Sequence, residues 1–441
     1  MKRTTAIILS LFLTINLGPA LCAQSFSELL SASEEAKSRF GESDDKYLDA
    51  LSKAISAAFA EQRDIEANKY RLIHSEIVKQ KYGEYSLEYA EDLWRLGNVS
   101  GFKGDAYTFD CYSKAARIYE SLDAKSEFPY CHILWNYYLH YSDQGQWNKA
   151  LVSLTSFIPY AKEWVNKAWK GNQYNQLNIA YTYIVLGDLY RFQLNNLSAS
   201  TEAYKESVNI LETYNLIGDY EYASHPYAGI VQNLRDLGAK EELVPWNEKF
   251  VEVERRLLGA DSDVFLKDLE DLQHVYWDAK DLPSIKRASN ELSTLLKDRA
   301  KRRGIDVCQD SLFVDNLELL QSFCIAFKDS PGIVDSSKEL LSVYDRLGKR
   351  ETLRYCEVLN DLICAYHTTQ DDLKVYDLMG QYESLCKLLK INKKPEYFDY
   401  LAIKSEVLTF LYKEDEFKKT IDELLPLTKE LYGENSVHYC Y

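Results

Sequence analysis

Residues Lys79–Ala90 read KQKYGEYSLEYA, and Lys429–Cys440 near the other end read KELYGENSVHYC. Tyr82, Gly83, Glu84, Ser86 and Tyr89 return in the same spacing as Tyr432, Gly433, Glu434, Ser436 and Tyr439. A phrase used twice is the mark of an internal repeat. Aligning on the last aromatic gives a ladder: Tyr47, Tyr89, Tyr130, Tyr227, Phe265, Phe313, Tyr355, Tyr397 and Tyr439. Most rungs are followed four residues later by leucine, at Leu51, Leu93, Leu134, Leu269, Leu317, Leu359 and Leu401. The usual step is about 42 residues, and the one long gap holds a weaker unit around Ile179 in IAYTYIVLGDLY. The chain therefore carries about nine units and the opening of a tenth.

Inside a unit the apolar residues keep helical spacing. Tyr89, Leu93 and Leu96 fall at i, i+4 and i+7, and Ala203, Val208, Leu211 and Tyr214 share a face in the second half of theirs. Two helices of about 15 residues and two short turns fill a period of this length. Gly83, Gly259 and Gly433 stand three residues before Ser86, Ser262 and Ser436. That spacing predicts a left-handed glycine closing one helix and a serine N-cap opening the next. A single hairpin cannot bury its apolar face, so stacked neighbours must do it, and the predicted fold class is an all-α helical-hairpin repeat solenoid. Residues 24–441 are expected to form one elongated array.

The leader, residues 1–23, stands apart. Lys2 and Arg3 precede an apolar run from Ala6 to Leu17, and small residues lead to a cleavage site expected between Ala23 and Gln24. Cys22 raises lipid attachment, but Leu21 occupies the place where a lipobox has a small residue, which favours plain cleavage. The mature chain is expected to be exported, periplasmic or secreted, without a transmembrane segment. The formal net charge is −16, and loss of Lys2 and Arg3 makes it more negative. An acidic chain of this kind excludes nucleic acid as an expected partner, since phosphates demand a basic footprint. The one basic run, KDRAKRRG from Lys297 to Gly304, reads as a helix C-terminus closed by glycine.

Signals of chemistry are absent. The seven histidines show no H-x-x-x-H or H-E-x-x-H spacing, and no phosphate-cradling or nucleophile-elbow motif occurs. The nine cysteines are scattered without a C-x-x-C pair. Cys131, Cys356 and Cys440 follow a ladder tyrosine directly, where other units have Ala90 and Ala228. A slot taking either residue reads as a tight helix contact, with cysteine acting as a small hydrophobe. A disulfide between some pair stays open. No cofactor, metal or catalytic residue is expected.

These residues resemble a known family. YSDQGQWNKALVSL, Tyr141 to Leu154, resembles the middle of a tetratricopeptide repeat through Tyr141, Gly145, Trp147, Ala150 and Leu154, and VLGDLY supplies Leu186, Gly187 and Tyr190 of the same motif. The period, the YGENS opening and SHPYA at Ser224–Ala228 are similar to the longer, kinesin-light-chain-like variety of exported bacterial arrays. Units after Phe265 lack the glycine and alanine of the motif. The resemblance implies a non-enzymatic scaffold that binds a protein or peptide on its concave face. In the family register of Gly97, Gly145 and Gly187, the inward residues are Trp94, Asn98, Trp135, Tyr181, Asp188 and Arg191. Asn98 matches the asparagine of the family's carboxylate-gripping groove, but Trp94 stands where its lysine would be. Two other readings stay open: a carbohydrate-active or glycan-binding helical toroid, and a remnant of a longer repeat protein that has lost its effector domain. In the last case YGENSVHYCY is the start of a unit cut short; otherwise it is a makeshift cap.

Overall fold

The computed structural model describes residues 25–99, 106–168, 173–219, 222–433 and Ser436. Residues 1–23, where a leader is expected, with Cys22, and Tyr439 with Cys440, lie outside these residues. All nineteen regular elements of any length are α-helices, with no strand among the described residues. The chain divides into two compact units, Met1–Tyr214 and Asn215–Tyr441. Unit 1 holds α1 (Phe26–Phe40), α2 (Asp45–Ala60), α3 (Asp64–Tyr82), α4 (Leu87–Val99), α5 (Ala106–Ser121), α6 (Phe128–Asp143), α7 (Trp147–Ala168), α8 (Gln173–Asp188) and α9 (Leu197–Thr213). Unit 2 holds α10 (His225–Leu237), α11 (Lys240–Leu258), α12 (Asp263–Asp278), α13 (Leu282–Arg303), α14 (Ser311–Ala326), α15 (Ser330–Arg346), α16 (Leu353–Thr368), α17 (Asp372–Leu388), α18 (Pro395–Phe410) and α19 (Glu414–Tyr432).

Helices α2 to α19 pair into nine hairpins, and each ladder aromatic from Tyr47 to Tyr397 is the third residue of a hairpin's first helix. Tyr47, Tyr130, Tyr227, Phe265, Phe313, Tyr355 and Tyr397 are all buried, and Tyr89 is half-buried. The leucines four residues on are buried with them. Burying one such side chain contributes about 1.5–3 kcal/mol, so the ladder and its leucines carry much of the stability. The burial is supplied from both sides. Tyr130 on α6 meets Tyr119 of the preceding hairpin at 6.2 Å and Tyr160 of its own at 5.6 Å, ring centroid to ring centroid. A cation from the preceding helix also lies over several ladder rings: Lys37 over Tyr47, Lys79 over Tyr89, Arg255 over Phe265 and Lys297 over Phe313. The slot after the rung is tight at Ala90, Cys131 and Cys356, which are buried, and looser at Ala228.

α1 has no counterpart in the sequence reading. Ser25 and Glu28 close a reciprocal capping box at its start, and Phe26 buries itself among Ala54, Ala57, Ala58 and Ala67. It covers the alanine-rich side of the first described hairpin. The turns also correct one expectation. Gly83, Gly259 and Gly433 have φ of 97, 83 and 84° with ψ of 159, 160 and 156°. This is the extended positive-φ region open essentially to glycine alone, not the left-handed helical region. Ser86 accepts from the Tyr89 amide and caps α4, whereas Ser262 makes no capping bond. Within hairpins the left-handed residue is usually not glycine: Gln62, Asn195, Lys280, Lys328, Gln370 and Tyr412 take φ between 49 and 60°. The following amide commonly reaches back to close a Schellman turn, as Arg63 does to the Ala58 carbonyl. The basic run ends α13 as expected, with Gly304 left-handed and Arg299 buried between Asp263 at 2.5 Å and Asp310 at 2.7 Å.

Hairpins with and without the motif glycine pack by complementary volumes. A Cβ at Gly97 would lie 2.6 Å from Tyr112 Cδ1, and one at Gly187 2.5 Å from Tyr204 Cδ1. Each tyrosine ring lies flat on the bare helix. In unit 2 the same positions carry Gln273 and Gln321, both fully buried, and the second helix answers with serines. Gln321 Nε2 donates to Ser337 Oγ at 2.9 Å, and Gln273 Nε2 donates to Asn316 Oδ1 at 2.8 Å. Asn316 in turn donates to the Ser289 carbonyl and to Ser293 Oγ. A small residue facing a large one has become a large residue facing a small one, with the amide nitrogens of Gln273, Gln321 and Asn316 all paired. Gly187→Ala is expected to destabilise unit 1 by about 1–3 kcal/mol through overpacking. Gly380→Ala, on an open helix surface with nothing within 4 Å, should instead stabilise by up to about 1 kcal/mol. Urea midpoints of the two variants check the opposite signs.

Candidate functional site

The structure places the six inward-facing candidates in two groups. Trp94 and Trp135 are buried. Trp94 Nε1 donates to His132 Nδ1 at 2.9 Å and its ring meets Phe128 edge-on at 5.8 Å, tying α4 to α6. His132 thus accepts as a neutral imidazole, and burial lowers its pKa to about 4. Trp135 packs against Tyr138 and against Phe157 of α7 at 5.2 and 5.6 Å. Asn98, Tyr181, Asp188 and Arg191 are half-buried. Asn98 and Asp188 each follow a motif glycine and accept the hydroxyl of the tyrosine lying on it, from Tyr112 and Tyr204 at 2.6 Å. Arg191 lies in the π-helical turn Leu189–Gln193 that extends α8, its guanidinium 5.5 Å from the Phe192 ring. Asp188 and Arg191 both act on the Tyr204 hydroxyl, Asp188 as its hydrogen-bond acceptor and Arg191 by charge.

Recesses form elsewhere, between the first helices of consecutive hairpins. In unit 1 one of about 260 Å³ is lined by Asp45, Leu48, Asp49 and Ser52 of α2, His74, Val78 and Tyr82 of α3, and Glu88, Glu91, Asp92 and Arg95 of α4. In unit 2 one of about 270 Å³ is lined by Leu353, Cys356, Glu357, Asn360 and Asp361 of α16, Tyr382 of α17, Ile391 and Lys394 of the turn, and Glu396 and Tyr397 of α18. The two occupy the same place in the repeat. Leu48, Asp49, Ser52, His74 and Glu88 correspond to Cys356, Glu357, Asn360, Tyr382 and Glu396 at one constant offset along the chain. Asp49 and Glu357 sit two residues after a rung, and Glu88 and Glu396 one residue before the next.

Charge in these recesses is unevenly balanced. In unit 1 Asp45 pairs with Lys81 at 2.5 Å, Asp49 with Lys53 at 2.7 Å, and Glu91 with Arg95. Glu88 and Glu396 are exposed and make no ion pair among the described residues. Asp92 is buried at the base, its Oδ1 2.9 Å from His74 Nδ1 and 3.4 Å from Arg71 Nη1. Burial lowers the Arg71 pKa against the pull of Asp92. Asp92 Oδ2 finds no donor, and in the second recess Asn360 Oδ1 is likewise a buried acceptor without one. Asp361, beside it, accepts from Gln321 at 3.3 Å. Its pKa is pushed up to about 6, first by burial, with Arg354 opposing and Glu357 adding to the rise. Rimming carboxylates over unpartnered acceptors favour a donor-rich cation. Among the described residues no group of three or more His, Cys, Asp or Glu could hold a metal ion, and no helix is long and apolar enough to cross a membrane.

Sequence reading passed over the recesses because each is assembled from three helices, and the helix faces looked like ordinary solvated charge. The available signal was the recurrence of acid at fixed repeat positions, Asp49 with Glu357 and Glu88 with Glu396.

The chain is thus an all-α helical-hairpin repeat protein, tetratricopeptide-like in its paired helices and in the packing at Gly97 and Gly187. No family model and no curated protein sequence matches it. Among solved structures it is similar to BtubC (BKLC) from P. vanneervenii, at 12% identity over 54% of this chain and 91% of that one, with a TM-score of 0.31. It is also similar to a Rap protein complexed with competence and sporulation factor, at 14% identity over 74% and 86%, TM-score 0.28. A third likeness is to the signal transduction ATPase with a tetratricopeptide repeat sensor from Pyrococcus horikoshii, at 14% identity over 93% and 64%, TM-score 0.31. Identity and TM-score are low throughout, and the fold class rests on this chain's own helices and ladder.

Two predictions follow from the buried charges. Asp92→Ala leaves Arg71 buried and uncompensated, and is expected to cost unit 1 about 3–5 kcal/mol, read in a urea titration. For Asp361 the native pKa of about 6 lies above the unfolded value of about 3.9. The native state therefore holds more protons than the unfolded state between these values, and stability falls as pH rises through that window. Between pH 5 and 7 the melting temperature of Asp361→Asn should change less than that of the parent chain.

Proposed function

We propose that the protein is a non-enzymatic binding scaffold, exported from the cell, whose inter-hairpin recesses take lysine and arginine side chains of a protein or peptide partner. The observation that carries this reading is the repetition of one arrangement in both units. Glu88 in one and Glu396 in the other hold the equivalent rim position, and each recess also holds a buried acceptor with no donor, at different places in the repeat: Asp92 Oδ2 in the first and Asn360 Oδ1 in the second. An ammonium or guanidinium group supplies donors and opposite charge together. The net charge of −16 adds long-range attraction for a basic partner, with an on-rate that falls as salt is raised. A fold of stacked hairpins suits such a role because its exposed first-helix faces present a row of equivalent positions to an extended segment.

The test is binding of fluorescent Lys/Arg-rich peptides to the full chain, with Glu/Asp-rich peptides of the same length as the comparison. Basic peptides should bind, more weakly as salt rises. Glu88→Gln and Glu396→Gln should each weaken binding by about two- to fivefold, the size of one exposed charge pair. Binding that ignores both variants, or prefers the acidic peptides, would sink the proposal.

A further inference from the structure

The register that relates the two recesses also relates two apolar contacts. Leu48 on α2 and Val78 on α3 pack in one buried cluster with Tyr47, Leu51 and Ile55. At the corresponding positions of the hairpin α16–α17 both residues are cysteine, Cys356 and Cys386. Packing alone does not ask for this, since leucine and valine fill the same contact in the first hairpin. The two sulfurs lie 3.7 Å apart, in direct contact across the hairpin. A disulfide requires about 2.05 Å between sulfurs, a closure within reach of side-chain rotation when they already touch. Cys364, on the same helix, does not share this geometry.

We propose that Cys356 and Cys386 are a disulfide-forming site that clamps α16 to α17 in the wall of the unit 2 recess. Cys356 borders the recess but is only 1% exposed, and Cys386 behind it is fully buried, so the oxidant reaches Cys356 as the recess wall opens. The oxidant is a low-molecular-weight disulfide, X–S–S–X. Cys356, as thiolate, attacks one of its sulfurs; the S–S bond breaks and X–S⁻ leaves to take up a proton. The Cys386 thiolate then attacks Cys356 Sγ in the mixed disulfide and expels the second X–S⁻, which is protonated in turn. The protein loses two protons and two electrons, and X–S–S–X takes up both to become two X–SH. The hydrogen bond between the sulfurs lowers the Cys386 pKa and raises that of Cys356, which burial raises further; Cys386 is thereby suited to the resolving step, and the first attack by Cys356 is the slow one, speeding up as pH rises. The clamp closes a loop from residue 356 to residue 386, so the oxidised chain is more resistant to unfolding than the reduced one.

The experiment treats the folded, fully reduced chain with oxidised glutathione, then alkylates and digests it under denaturing conditions. The expected result is a linked peptide containing Cys356 and Cys386, about 2 Da lighter than the two free peptides as two hydrogens leave with S–S formation. A higher melting temperature, reversed by dithiothreitol and absent in Cys356→Ser, should accompany it. Recovery of both cysteines alkylated overturns the proposal. So does glutathione stranded on Cys356 with Cys386 still free, because that outcome means the sulfurs cannot reach bonding geometry. Cys386→Ala provides the complementary control: there glutathione should remain on Cys356, and its absence would overturn the access route.

Discussion

A hairpin of two short helices has no inside. Whatever apolar stripe it carries must be covered by something else, and in this chain the next hairpin covers it. That constraint accounts for the ladder. Placing an aromatic at the third residue of each first helix puts a large ring where preceding and current hairpins meet, as Tyr130 does between Tyr119 and Tyr160. It also accounts for α1. On the first described hairpin a capped helix anchored by Phe26 covers the alanine face. Stability in such an array is a sum of neighbour terms rather than the property of one core.

The same constraint leaves recesses. Consecutive first helices meet at single contacts, as Trp94 does with His132, and the second helix behind them supplies the floor of a recess. In unit 1 that floor is His74 and Val78, and in unit 2 it includes Tyr382. The rim is free of packing duty, so it can carry carboxylates at no cost to the ladder. The six positions chosen from the family register were in part committed elsewhere. Trp94 and Trp135 are spent on packing, and Asn98 and Asp188 hold tyrosine hydroxyls over the motif glycines. Where a repeat's volume is balanced between its two helices, polar residues beside the contact serve the contact first.

Much of the fold was legible because period and helical spacing are one-dimensional signals. Tyr47 to Tyr397, the leucines four residues on and the weak unit at Ile179 all took the places their spacing implied. The turns were half legible. Glycine at 83, 259 and 433 announced a positive φ, but not that ψ would be extended rather than helical, because sequence does not distinguish the two glycine-rich regions. Left-handed Gln62, Lys280 and Tyr412 gave no compositional sign at all; the hairpin geometry forces them. The candidate site was the least legible part. Recess walls come from residues as distant as Asp45 and Arg95, and an exposed glutamate such as Glu88 looks the same in sequence whether it rims a recess or faces bulk water.

Repetition separates what the fold needs from what it tolerates. A position filled by Gly97 in one hairpin is filled by Gln321 in another, provided the facing residue changes from Tyr112 to Ser337. A contact made by Leu48 and Val78 in one is made by Cys356 and Cys386 in another. In the first case both partners changed and the packing was conserved, so the change has a structural cause. In the second, a small residue at Cys356 answers the tight slot, but its partner across the hairpin is also a thiol, and the two sulfurs stand 3.7 Å apart. Within a single chain the repeat supplies its own control, and residues that depart from it without a compensating neighbour are the ones to which chemistry is best assigned.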